Sequence, residues 1–248
     1  MQGIKVLTYT RWYPLSSFGL TSAWWSINQE TIFATWAALI VLILLIISAR
    51  LLIHSHSKTG RYMVISTLRY FMGMTDQTLG SFNFSHFAFA TSLFIFIFLC
   101  NIINVLFPWV EEPTSDLNTT LALGLTSFVY TQAAIIHAHG ITGYVKELAT
   151  PIFLFPLHIL GKLASVVSIS FRLFGNIFGS SIIMQMYNKI KMGSVFIETG
   201  LLITGTNMLV VLFFGIFEGL IQAYVFFMLT LTYLAIGIQH EDIEDNFT

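Results

Sequence analysis

From Thr31 to Ala49 the chain runs for nineteen residues without a charged side chain, bounded by Glu30 and Arg50. At about 1.5 Å of rise per residue, a helix of that length crosses one hydrocarbon core of ~30 Å. Lipid offers no partner to a backbone N–H or C=O, so the segment must satisfy them internally, and a helix does so. The same constraint holds for the rest of the chain, since 56% of residues are hydrophobic and 9% are charged. A net charge of -1 leaves no basic stripe for a nucleic-acid backbone. The single cysteine, Cys100, lies in an apolar run, which excludes a disulfide framework and a thiolate metal cluster. No repeat or Pro/Gly-rich linker divides the chain, so residues 1–248 read as a single membrane domain of the all-α integral membrane class.

The pattern predicts about five membrane helices and one amphipathic surface helix. Residues 1–30 read as an N-terminal interfacial segment, with Trp24 and Trp25 at headgroup level. Residues 31–52 form the first span. A stretch with Arg50, Lys58, Arg61 and Arg69 follows, and within it 61–80 reads as an amphipathic segment on the surface. Residues 86–109 and 117–138 read as a membrane hairpin across a turn holding Glu111, Glu112, Pro113 and Asp116; a loop with His137, His139, Lys146 and Glu147 comes next. Then come 156–190 and 194–237, and an acidic tail, 238–248. The excess of Arg and Lys after the first span puts that loop inside, hence the N-terminus outside and the C-terminus inside. Lys189, Lys191 and the acidic tail run against this orientation. As helices the last two segments would be roughly 50 and 65 Å long, more than a ~30 Å core at tilts up to ~40° absorbs. They are expected to form a long, steeply inclined hairpin.

Charge inside such segments marks function. Arg172, in SVVSISFRLFGNIFGSS, has about 15 apolar or small residues on either side, too deep for a snorkelling side chain. A guanidinium cannot lose its charge, and at a helix centre it costs at least ~2.5–3.5 kcal/mol. Ser168 and Asn176, four residues before and after it, make one helix face polar, and Gln185 lies further along. Glu218 interrupts the other long segment, with Gln222 four residues on and on the same face. Alone, Glu218 also fits a protonated structural acid; opposite Arg172, Asn176 and Gln185, a hydrated path fits better. The HxH pair His137 and His139 lacks further metal ligands and reads as wet and loop-facing. His158 reads equally as a packing histidine or as lining an inner path. No Gly-rich phosphate loop, nucleophile elbow or HExxH is present, so no nucleotide, metal, cofactor or catalytic site is expected on this chain.

The strings FRLFGN and LIQAYVFFMLTLTYL resemble the two signature segments of the a subunit (subunit 6) of F-type ATP synthases. The resemblance extends through SLFIFIFLCNIINVLFPW, EEPTSDLNTTLALGL and KELATPIFLFPLHIL, and covers roughly residues 24–238. It implies a non-catalytic, proton-translocating stator subunit of an ATP synthase, in a bacterial plasma membrane or a mitochondrial inner membrane. Its implied partners are a ring of c subunits, b-type peripheral-stalk subunits, other membrane subunits of the synthase, and lipid. Arg172 then matches the arginine that faces the ion-carrying carboxylate of each passing c subunit, with Asn176 and Gln222 as its polar companions. Asp116 falls in the outer turn and Glu147 in the inner loop.

The chain departs from that pattern twice. Ser181 stands nine residues after the arginine, and Gly215 seven before the glutamine, where the family usually carries ionisable residues. Glu218 lies about one helical turn past Gly215 on nearly the same face, and is expected to take over the uptake role. In the resulting reading, Glu218, Gln222 and Gln185 hydrate an outer half-channel, the region from His139 to Glu147 opens an inner one, and Arg172 prevents a leak between them. The alternative is another ion channel or a secondary transporter with its own mid-membrane site. Such folds often carry internal repeats, and none is visible here.

Overall fold

The computed structural model describes residues 11–12, 27–54, 58–107, 110, 112–149, 152–192, 199 and 205–239. Most of the N-terminal segment, the acidic tail from residue 240 onward, and most of 193–204, where the last long helix was expected to begin, lie outside the described residues.

The described chain is helical apart from a two-residue antiparallel ribbon that pairs Arg11 with Asn28 and Trp12 with Ile27. Helix α1 is Gln29–His54, α2 Lys58–Leu79, α3 Phe84–Leu106 and α4 Leu117–Ala149. Helix α5 is Phe155–Met192. The last rod is α6 (Thr206–Val211), a π-helical segment (Leu212–Phe217) and α7 (Glu218–Gln239). Five stretches among the described residues are long and apolar enough to cross a membrane: Gln29–His54, Phe84–Leu106, Leu117–Tyr144, Phe155–Tyr187 and Met208–Ile238. This is an all-α integral membrane fold.

The burial pattern is that of a protein in lipid. Helix α1 buries only Ala34 and Ala38, one turn apart, and exposes Phe33, Trp36, Ile40, Leu44 and Ile47. The two buried side chains are small, as is usual where membrane helices pack together, and the large ones face outward where hydrocarbon replaces water. Helix α2 buries one stripe, Phe71, Thr75 and Leu79. Helix α3 is the most deeply buried of the five spans. One of its faces joins α2 and α7 in a cluster of Phe71, Phe87, Ala90, Phe227, Leu231 and Leu234. Another joins α5 and α7 through Leu93, Ile97, Ile169, Leu173, Ile177 and Phe226. Hydroxyls bridge the rods as well: Ser127 of α4 and Thr230 of α7 share a buried hydrogen bond of 2.8 Å.

Two local features decide where polar groups end up. The turn between α3 and α4 is pinned rather than loose. Pro113–Ser115 forms a 3-10 turn, and Thr114, fully buried, donates to Asn101 Oδ1 at 2.7 Å. Asp116 Oδ1 accepts from the Asn118 N–H (3.0 Å), capping the start of α4. Its Oδ2 accepts from Thr31 Oγ1 (3.5 Å) at the start of α1. At the opposite end, the loop expected to begin at His137 is helical. Helix α4 continues to Ala149 and breaks only at Gly140 (φ 73°, ψ 165°), a left-handed conformation that glycine adopts without steric cost.

Candidate functional site

Three elements meet beside the pinned turn. Helix α5 brings Asn176 and Ser180, α7 brings Glu218 and Gln222, and α3 brings Asn101. Glu112, the residue before Pro113, closes the group from the turn. Ile177, Phe214 and Gly219 complete the wall of a cavity of about 10 Å³, on the scale that admits a single water molecule.

The hydrogen bonds in this cavity are incomplete in a specific way. The Asn176 side-chain amide donates to Gln222 Oε1 at 2.6 Å, which fixes the Gln222 amide plane. Gln222 is 2% exposed, and its Nε2 has no partner among the described residues; neither has Glu218 Oε2. Ser180 lies against the Glu218 carboxyl, but its hydroxyl donates to the backbone carbonyls of Asn176 (2.9 Å) and Ile177 (3.1 Å), so its hydrogen is committed within α5. An orphaned donor and an orphaned acceptor thus line one small cavity. Groups buried in that state cost about 1–3 kcal/mol each unless water or a mobile ion satisfies them. Glu112 is half-buried. Burial pushes its carboxyl up to about 7; the Asn104 amide pulls the other way, and the charge of Glu218 adds to the rise.

Arg172 lies eight residues before Ser180 on α5. Its neighbour Leu173 is fully buried in the core, whereas Arg172 is exposed, as are Ser168 and Asn176 on the same stripe. Among the described residues no acceptor bonds its guanidinium. The helix turns its cation away from its own bundle, toward whatever lies alongside.

The remaining sequence-predicted residues are dispersed. Gln185 is exposed on α5 and does not reach the cavity. Ser181 is exposed, its hydroxyl donating to the Phe178 carbonyl (2.8 Å). Asp116 is spent on the cap and the tie to Thr31 described above. His139 is not loop-facing but half-buried in α4, bonded through Nε2 to the Gly237 carbonyl at 3.0 Å. His137 is exposed on the same helix, and His158 is half-buried near the start of α5. The Glu147 side chain lies outside the described residues.

Sequence reasoning missed Glu112, Asn101 and Ser180 as members of the cavity. Asn101 carried a usable signal, as a lone amide in the apolar run SLFIFIFLCNIINVLF. The departure at Gly215 now has a physical cause: a Cβ there would run into the Val105 side chain of α3. A side chain at that position would require Val105 or the helices to shift.

At the opposite end of α5 stands a second polar group. Lys162 Nζ donates to Gln132 Oε1 and to Tyr144 Oη, both at 3.3 Å, and sits 4.4 Å above the Tyr144 ring centroid. Tyr144 Oη donates to Gln132 Oε1 at 2.6 Å.

The family model described as ATP synthase A chain matches residues 31–235. A relative from Moorella thermoacetica, ATP synthase subunit a, is 31% identical over 83% of this chain and 89% of its own length. The Bacillus subtilis ATP synthase subunit a is 28% identical over 84% of this chain and 90% of its own. Propionigenium modestum has a relative named ATP synthase subunit a, sodium ion specific, 31% identical over 64% of this chain and 56% of its own.

Proposed function

The chain belongs to the ATP synthase A chain family, and from that premise we propose that it forms two aqueous half-channels carrying protons to and from the carboxylates of a c-subunit ring. As an a subunit it is an integral membrane part of the ATP synthase and serves ion transport coupled to ATP synthesis. The observation that carries the finer reading is Arg172, a permanent cation exposed midway along a membrane helix without an acceptor among the described residues. A charge so placed is costly unless a neighbour of opposite charge faces it. A passing carboxylate would be such a neighbour, and a fixed cation favours its ionised form, so its proton leaves to the inner side. The same cation repels a bare proton between the two half-channels. The membrane potential, worth ~2.3 kcal/mol per charge per 100 mV, then drives rotation instead of a leak.

In this reading the turn end of the bundle faces outside and its cavity, with Glu218 as main titratable group, is the outer half-channel. The region from His139 to Glu147 borders the inner half-channel, the N-terminus is outside and the C-terminus inside. Helix α5, with 38 residues, is about 57 Å long; this length supports a steep inclination beside the ring. The exposed lipid-length face of α1 and its neighbours is available to lipid, to b-type stalk subunits and to other membrane subunits.

The test is Arg172→Ala in complexes reconstituted into vesicles, with ATP synthesis driven by an imposed proton gradient. Synthesis is expected to fall to background while the subunit still inserts and co-purifies with the ring. Synthesis near the wild-type rate would overturn the assignment.

A further inference from the structure

We infer that Glu112 is a second titratable group of the outer half-channel, receiving protons from outside and passing them through the cavity to Glu218. This rests on the half-channel reading above and adds to it a residue that the sequence left as one of two acids in a turn.

The geometry separates Glu112 from an ordinary loop acid. Its backbone carbonyl accepts from the Ser115 N–H (3.0 Å) and from Ser115 Oγ (2.7 Å), so the turn that carries it is closed on itself. Thr114, two residues on, is fully buried and hydrogen-bonded to Asn101, a member of the same cavity wall. The Glu112 carboxyl is half-buried, lies near the Asn104 amide of α3, and lines the same cavity as Glu218. The orphaned Gln222 Nε2 is an independent sign that this cavity takes a guest. One water there would accept from Gln222 and donate to Glu218 and to Glu112.

The transfer balances without any other reagent. A proton from the outer aqueous side bonds to the Glu112 carboxylate, giving the neutral acid. Glu112 then gives its proton to the water as that water gives one of its own to the Glu218 carboxylate. Glu112 returns to the carboxylate, the water is unchanged, and Glu218 is left neutral, having gained one proton. The groups facing Glu112 that can also titrate are Glu218 on α7 and the Cys100 thiol on α3. Asp116 in its own turn is occupied with Thr31 and the α4 cap. A carboxyl titrating at about 7 is charged and able to capture protons on the alkaline side of neutrality, where free protons are scarcest.

The experiment measures proton flux through the whole reconstituted complex, holding the inner pH fixed and varying the outer pH from acid to alkaline. Wild type should show an inflection near the Glu112 value. Glu112→Gln should remove the inflection and lower the flux several-fold on the alkaline side, with little loss on the acid side. Glu112→Asp should keep an inflection at a displaced pH, because the shorter arm changes how deeply the carboxyl is buried. An unchanged Glu112→Gln profile, alongside a blocked Glu218→Gln complex, overturns the role of Glu112 alone. Wild-type flux in Glu218→Gln overturns the half-channel reading beneath it. If Glu112→Gln does not assemble, Glu112→Asp decides: an unmoved inflection overturns the proposal equally.

Discussion

Two polar clusters stand on the same helix, and they differ in how far their hydrogen bonds are filled. Lys162, Tyr144 and Gln132 form a closed set in which the ammonium has two acceptors and an aromatic face, and the phenol has its own acceptor. Eighteen residues along α5, roughly 27 Å, the group around Ser180, Glu218 and Gln222 leaves a donor and an acceptor without partners beside a water-sized space. Both clusters hold an ionisable group among apolar helices. The first ties its ammonium to two oxygens and an aromatic face, and so holds α4 against α5. On the proposed reading the second is a transit site, because a guest there would satisfy the hydrogen bonds left open at Gln222 and Glu218. Arg172 lies between them, about 15 Å from the first and 12 Å from the second along the helix.

Substitutions can break or sharpen this contrast. The largest effect is expected from Glu218→Gln, which keeps the shape and removes proton exchange. Proton flow through assembled complexes should fall by roughly tenfold or more, on the scale of losing a proton-transfer group, while Glu218→Asp retains part of it. Flow at the wild-type rate in the Gln variant would move the channel role to another residue. A middle effect is expected from Gly215→Ala, whose new methyl meets Val105. Overpacking of this kind costs about 1–3 kcal/mol, read as a lower thermal stability of the complex, and Val105→Ala in the same chain should recover part of it. An additive pair of losses would mean that the contact is not the cause. The smallest effect belongs to Lys162→Met. With both hydrogen bonds at 3.3 Å, the loss should be about 1 kcal/mol of stability, with proton flow and its pH profile close to wild type. A large change in flow would place Lys162 on the ion path and erase the distinction between the clusters.

What the sequence made legible follows from the range of the forces involved. The uncharged run before Arg50 needed only length and composition, and α1 lies over it. Arg172, Asn176, Glu218 and Gln222 stood out because a polar group in an apolar run is anomalous wherever it packs. Glu112 did not stand out. In a turn with several acids, the sequence could not say that Glu112 meets the cavity, since that depends on Thr114 reaching Asn101 on another helix. The histidines after residue 136 read as loop because polar residues and a glycine usually mark one. Here His139 finds its acceptor on the backbone of α7, ninety-eight positions away, and the chain stays helical on both sides of the break at Gly140. Gly215 was visibly a departure, but its reason is a valine on α3 that no local pattern reveals.

The π-helical segment Leu212–Phe217 has a mechanical consequence. The N–H of Glu218 reaches back to the Phe213 carbonyl, so this stretch winds with more residues per turn than the α-helix on either side. It is slack in the winding, placed immediately before the carboxyl that meets the cavity. One residue corresponds to about 100° of rotation in an α-helix. A twist of that order in the rod before Leu212 can therefore be absorbed by tightening these turns, leaving Glu218 aimed where α3 and the pinned turn hold the cavity. On the proposed reading, with this chain beside a turning ring, such a joint would keep the cavity aligned while the rest of the helix twists.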